Sequence, residues 1–297
     1  MSVQSVSRTA LILVASLGLA GCSLLSGDRA EREAQEAIDK EGRITMVLGD
    51  ESLQPDPTLL SEVIRLPAVR DLTEGWPQAG SRASKAIGHI NVASELDVAW
   101  RSNVGDGSDR KSALTSPPVA SADTIYTIDS RQMVVATDAS SGNRKWSAKL
   151  ESANRRDGTG FGAGLGLEGN RLIIASSYGF VAAMDATNGT ELWRTETEAP
   201  MTGSPTIKDG RIFVSSNNNE VLAMDLESGA LIWSDQAIAE SARVLGSPSP
   251  AAVEEIVVAP YSSGEVIAYL ASNGRRLWSE ALASVGQFTP ISSINDI

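Results

Sequence analysis

From Trp76 onward the chain is written in short runs of aliphatic, β-branched and aromatic residues, interrupted at close intervals by Gly, Asn, Asp and Ser. Between Ser204 and Asp235 the runs are "SPTI", "RIFVSS", "EVLAMDL" and "ALIWSD", separated by "KDG", "NNN" and "ESG". Asn and Gly tolerate the positive φ of tight hairpins, so these four segments are predicted to form an antiparallel meander rather than crossover units. The same spacing fits "RLIIASS", "FVAAMDA" and "ELWRTE" upstream, and "EIVVAPY", "EVIAYLA" and "RLWSEA" downstream.

The pattern is periodic. Trp100, Trp146, Trp193, Trp233 and Trp278 follow one another at intervals of 46, 47, 40 and 45 residues. "DASSGNRKW", "DATNGTELW", "DLESGALIW" and "LASNGRRLW" end at the last four, and Gly142, Gly189, Gly229 and Gly274 each stand four residues before the tryptophan. Four strands in a unit of about 44 residues predict an all-β fold, a β-propeller of four-stranded antiparallel blades, over residues 76–297. About five such units fit, and the final "TPISSINDI" aligns with a first strand, so the expectation is an incomplete propeller from a longer one. The other reading is a five-bladed ring closed by residues 76–100. Trp146, Trp193, Trp233 and Trp278 are expected to fill the seams between blades. Each ring would bury roughly 150–250 Å², about 4–6 kcal/mol as an upper bound.

The first 75 residues have another texture. Arg8 precedes the apolar run "ALILVASLGLA", about half of what a spanning helix needs, which predicts a signal peptide over residues 1–21. It ends in "LAGC", and Cys22 is the only cysteine in the chain. Residues 22–75 contain the charged "DRAEREAQEAIDKEGR" and the helix-breaking "LQPDPTLL", and are expected to be a polar tether with one short helix.

Charge and chemistry narrow the function. With 25 Lys plus Arg against 37 Asp plus Glu the formal charge is −12, which argues against a nucleic-acid partner. One cysteine and one histidine, His89, cannot build a thiolate or histidine metal site. The glycine-rich "GTGFGAGLGLEG" leads into the strand "RLIIASS" and not into a helix, so it is expected to fill a crowded first-strand position rather than to cradle phosphate. Glu254 and Glu255 fall in a turn, "GDGSD" lacks the spacing of a calcium loop, and "NGT" at Asn188 is a hairpin turn. No catalytic residue, metal or cofactor is expected, and the chain is read as a non-enzyme.

The repeat "AMDxxxGxxxW" and the opening "WPQAG" resemble quinoprotein-type propellers, and "LAGC" resembles the bacterial lipobox, in which the cysteine is acylated. Together they resemble the family of outer-membrane protein assembly factors (BamB), lipoproteins with eight-bladed propellers. The resemblance implies lipid attachment at Cys22, with Ser23 after it favouring the outer membrane, facing the periplasm of a Gram-negative bacterium. It implies a scaffold that docks onto the periplasmic domains of the barrel-shaped assembly subunit and aids folding and insertion of outer-membrane proteins, with unfolded clients as further partners. The family's contact region maps onto Ala242–Leu245 and Asn295–Ile297, with Arg243, Leu245 and Asp296 as the candidates. The alternatives are a periplasmic ligand-binding propeller and a quinoprotein-type dehydrogenase.

Overall fold

Among the described residues each blade repeat read from the sequence becomes four strands, and the Gly-, Asn- or Asp-containing turns between them become hairpins. The computed structural model describes residues 67–73, 75–108, 114–152, 163–201, 203–237 and 249–282. The chain divides into two units, 1–65 and 66–297, and all of the described residues lie in the second. Cys22 and the tether as far as residue 66 fall outside them, as does the final "TPISSINDI", whereas residues 67–73 and 75, expected to belong to the tether, lie in the second unit, where Arg70 pairs with His89 and Asn91.

Among the described residues sixteen strands form four sheets, each a meander in sequence order. The first blade holds β1 (Val119–Ala120), β2 (Thr124–Ile128), β3 (Met133–Asp138) and β4 (Arg144–Lys149). The second holds β5 (Ala163–Glu168), β6 (Arg171–Ser176), β7 (Phe180–Asp185) and β8 (Glu191–Glu196). The third holds β9 (Thr206–Lys208), β10 (Arg211–Ser215), β11 (Glu220–Asp225) and β12 (Leu231–Gln236). The fourth holds β13 (Ala251–Val253), β14 (Ile256–Pro260), β15 (Glu265–Leu270) and β16 (Arg276–Ala281). Where about five units were expected, four blades are described, and residues 75–108 lie along them without forming a sheet of their own.

The hairpins follow their residues. Asp209 and Gly210 link β9 to β10 with φ of 48° and 72°, the double positive φ that a two-residue loop needs to match strand twist. The middle strands of the second and third blades are buried on both faces because a neighbouring blade covers each. On β6, Leu172 and Ile174 face the first blade, while Ile173 and Ala175 join Ile212, Val214 and Met224 of the third. On β10, Phe213 turns the other way, toward Val257, Ile267 and Tyr269 of the fourth. The period-2 alternation of each strand is thus shared between two seams.

The seams share one device. Trp146 donates its indole N–H to the Ala186 carbonyl of the next blade at 2.9 Å, Trp193 to Leu226 at 3.2 Å, and Trp233 to Ala271 at 2.9 Å. Beneath each ring lies the glycine of that next blade: a Cβ on Gly189, Gly229 or Gly274 would come within 2.6, 2.4 or 2.6 Å of the indole carbons, and their φ of 76°, 69° and 71° favour glycine independently. On its own blade each tryptophan lies opposite alanine, Ala136, Ala183 or Ala223, and the register slips at that point. Trp100 does the same to the first blade, with its N–H on the Ala139 carbonyl at 2.9 Å and its ring against Gly142.

Trp278 is placed differently. It stands opposite Ala268 at the same slip, but its side of β16 meets no further turn among the described residues, and it is 49% exposed. Among the described residues the three seams between blades are filled by Trp146, Trp193 and Trp233, and Trp100 docks on the first blade in the same way.

Trp233→Ala should therefore remove a ring that is 9% exposed and leave both Gly274 and the Ala271 carbonyl uncovered. The expected loss is about 3–5 kcal/mol in chemical denaturation. An unchanged midpoint would contradict the seam.

Candidate functional site: the inner strap and the blade turns

The inner strands of the four blades adjoin one another, and small residues let them do so. A Cβ on Gly164 of β5 would come within 2.3 Å of the Ser204 Cα, and one on Gly166 within 3.2 Å of the Pro205 ring. The described part of the glycine-rich stretch is therefore a strand packed against the entry to the third blade.

Across these strands runs the segment that begins "WPQAG". Trp76 exchanges backbone hydrogen bonds with Ala120 of β1 at 2.7 and 2.8 Å. The Pro77 carbonyl accepts from Leu167 of β5 at 2.7 Å, and the Ala83 carbonyl from Ala252 of β13 at 2.8 Å. The inner strand of the third blade is held by a side chain: Gln78, 5% exposed, donates Nε2–H to the Ile207 carbonyl at 3.0 Å and accepts the Ile207 N–H on Oε1 at 2.9 Å. The amide thus completes a two-bond β-ladder where no strand lies alongside. One strap touches all four blades.

Past the strap, Lys85 curls back with φ of 57° and places its ammonium on the Ala79 carbonyl at 2.9 Å. Burial disfavours its charged form and pushes its pKa down to about 8. His89 is exposed, with Nδ1 3.3 Å from the Pro67 carbonyl.

The turns that receive the tryptophans are built by carboxylates. Asp138 Oδ1 accepts from the backbone N–H groups of Ser140 and Ser141 and from both hydroxyls. Asp225 does the same with Glu227 and Ser228, and Asp185 with Thr187. These hydrogen bonds hold all three carboxyl groups below the usual range, the side-chain hydroxyls contributing most. Asp123, in the adjoining turn of the first blade, is lowered to about 2, chiefly by the hydrogen bond from Lys145 and then by Ser121 and Thr124.

Between the third and fourth blades lies a polar relay. The Tyr261 and Tyr269 hydroxyls are 2.6 Å apart, Tyr269 donates to Asp235 Oδ2 at 2.8 Å, and Arg276 Nε donates to the same oxygen at 2.9 Å. Burial pushes both tyrosine pKa values up, so the hydroxyls stay protonated and keep donating. Arg171 of β6 pairs with Glu227 across the preceding seam.

Among the described residues no three His, Cys, Asp or Glu side chains come together as a metal centre requires. Glu254 and Glu255 form the two-residue turn between β13 and β14, and Asn188 Oδ1 caps the Thr190 N–H inside its own hairpin. Arg243 and Leu245 fall in sequence between β12 and β13, Asp296 follows β16, and all three lie outside the described residues, as does Cys22. Among the described residues the geometry therefore joins a stack of blades to a strap.

A family profile described as outer membrane protein assembly factor BamB matches residues 156–297, just under half of the chain. The corresponding protein of Yersinia pestis is 24% identical over 203 residues, 67% of this chain and 51% of that one, and that of Salmonella typhimurium is 29% identical over 201 residues, with the same two shares. The chain is BamB-like. It spans about half the length of these curated relatives. A second profile, the β-propeller domain of glucose, ethanol and alcohol dehydrogenases, matches residues 78–166. The solved quinohemoprotein alcohol dehydrogenase of Comamonas testosteroni has a TM-score of 0.58 at 17% identity, covering 70% of this chain and 41% of that one, a likeness of fold alone. The BamB-like profile covers the second to fourth blades, and the dehydrogenase profile covers the strap and the first.

Two consequences can be measured. Gln78→Ala would strand the buried N–H and C=O of Ile207 and should cost about 1–3 kcal/mol of stability in chemical denaturation; a neutral result would mean that the amide does not hold the strap. Acid should weaken the turns: a carboxyl whose folded pKa is depressed stabilises above its unfolded pKa, and that contribution is lost as pH falls through the folded value. For Asp123 the window runs from its ordinary 3.8 down to about 2. Melting temperature should decline across it, and Asp123→Asn should flatten that decline; an identical acid limb in the variant would contradict the assignment.

Proposed function

We propose that this chain is a non-enzymatic scaffold of the outer-membrane β-barrel assembly machinery, aiding the folding and insertion of outer-membrane proteins. The observation that carries the reading is the BamB-like match over three consecutive blades, the part of the molecule with the most regular seams. The physical case agrees with it. Blades locked by docked indoles and tied by one strap form a stiff body, and stiffness lowers the ordering cost of docking a partner through its loops. In this reading Cys22 carries the lipid that holds the protein at the periplasmic face of the outer membrane. Its partner is the set of periplasmic domains of the barrel-assembly subunit, contacted through Arg243, Leu245 and Asp296.

A quinoprotein-type dehydrogenase is the second reading, favoured by the dehydrogenase profile over the strap and first blade. In the described residues the strap lies along the inner strands, and no cluster of metal-ligating side chains accompanies it.

The test is affinity purification of the tagged, lipidated protein from detergent-solubilised outer membranes, beside a variant carrying Arg243→Glu, Leu245→Asp and Asp296→Arg. The barrel-assembly subunit is expected with the wild type and lost from the variant. Its absence from both would overturn the scaffold reading, and substrate-dependent dye reduction by protein supplied with quinone and calcium would establish the second.

A further inference from the structure

We propose that the cavity between the strap and the residues preceding it binds a small oxyanion, a carboxylate or a phosphate ester. The cavity holds about 280 Å³ and is lined by Arg70, Asp71, Thr73, Gly75, Ser81 and Arg82 among others. That volume lies at the small end of ligand pockets, so the occupant is small.

The walls are rich in donors. On a chain with a formal charge of −12, two guanidinium groups meet here with a single described carboxylate. That carboxylate is engaged: Asp71 Oδ1 accepts from Asn91 Nδ2 at 2.8 Å. Arg70 is oriented from one edge, with Nε and Nη2 on the Ile87 carbonyl at 3.3 and 3.1 Å and Nη2 also 3.3 Å from Ser81 Oγ. Its Nη1 is left uncommitted. The Ser81 hydroxyl accepts from Arg70 and keeps its own proton to give. The side chains of Arg82 and Thr73 have no hydrogen-bond or ion-pair partner among the described residues. A guanidinium held by its neighbours and a second one free to swing over it suit the flat, bidentate geometry of carboxylate or phosphate oxygens.

The cavity is also held in shape. Gly75, with φ of 84°, lies so close to the first blade that a Cβ would come within 2.4 Å of the Ala120 carbonyl oxygen, and the Trp76 and Gln78 hydrogen bonds pin the strap immediately beyond. Arg70 is fastened from the other side by its own backbone, which pairs with His89 and Asn91.

The test is isothermal titration of the full chain, at constant ionic strength, with inorganic phosphate and with succinate. Saturable one-site binding with a Kd of about 1 mM or tighter is expected for at least one of them. Binding of phosphate alone would assign the site to phosphate esters, and binding of succinate alone to carboxylates. Arg82→Gln should weaken binding by about tenfold, the loss of one charge-assisted contact, with melting temperature unchanged because Arg82 supports nothing else. Arg70→Lys keeps the charge but removes the fork and should also weaken it. Absence of saturable heat up to about 10 mM of either anion would overturn the proposal. So would heats that sodium chloride reproduces, or wild-type affinity in Arg82→Gln.

Discussion

The propeller depends on an indole pressed against a glycine of the following blade. A tryptophan on an outer strand can bury its large apolar ring only if its N–H finds an acceptor, and the next blade supplies both a carbonyl and a flat backbone at one turn. The N–H of the same residue is paired as well: Ala139, Ala186, Leu226 and Ala271 donate to the carbonyls of Asp123, Asn170, Gly210 and Glu255 in the neighbouring turn. Each seam is thus complete in hydrogen bonds as well as in packing. Glycine beneath the ring answers two demands at once, since any side chain would collide with the indole and the backbone there is left-handed.

The strap fastens the other edge. Tryptophans join neighbours pairwise along the outer strands, whereas residues 76–83 reach the inner strands of all four blades in turn. Loss of one seam leaves its two blades still joined through the strap, and loss of the strap leaves the seams. Two independent fastenings make the stack stiff in the direction in which a meander of hairpins would otherwise open, which is the property a docking platform requires.

Repetition made much of this legible. Strand positions, hairpins and the blade plan all follow from a pattern written four times, and "SPTI" differs from β9 by two residues at its start and one at its end, since the strand runs Thr206–Lys208. What the period conceals is partnership. Gly229 and Trp233 stand four residues apart in one unit, yet the ring on Gly229 is Trp193 of the unit before. The alanine opposite each tryptophan was present in "VATD", "AAMD", "LAMD" and "IAYL" as a recurring signal. Gln78 had none: it occurs once, and only the fold brings it 129 residues along the chain to Ile207. Pairs of this kind, with Arg70 and Ser81 among them, arise from chain crossing and not from local pattern.

The fourth blade separates what is necessary in a receiving turn from what is added. Leu270 stands where the other blades have Asp138, Asp185 and Asp225, so no carboxylate gathers the N–H groups there. The turn nevertheless closes in the same way, with the Gly274 N–H on the Leu270 carbonyl at 2.9 Å and the Trp233 N–H on Ala271 at 2.9 Å. Backbone closure and the docked indole are therefore sufficient for its shape. The aspartates of the other three add support that disappears in acid, and the seam between the third and fourth blades relies instead on Tyr269, Asp235 and Arg276. Acid should accordingly loosen the receiving turns of the first three blades through their aspartates, while leaving the turn that holds Trp233 without a carboxylate to lose.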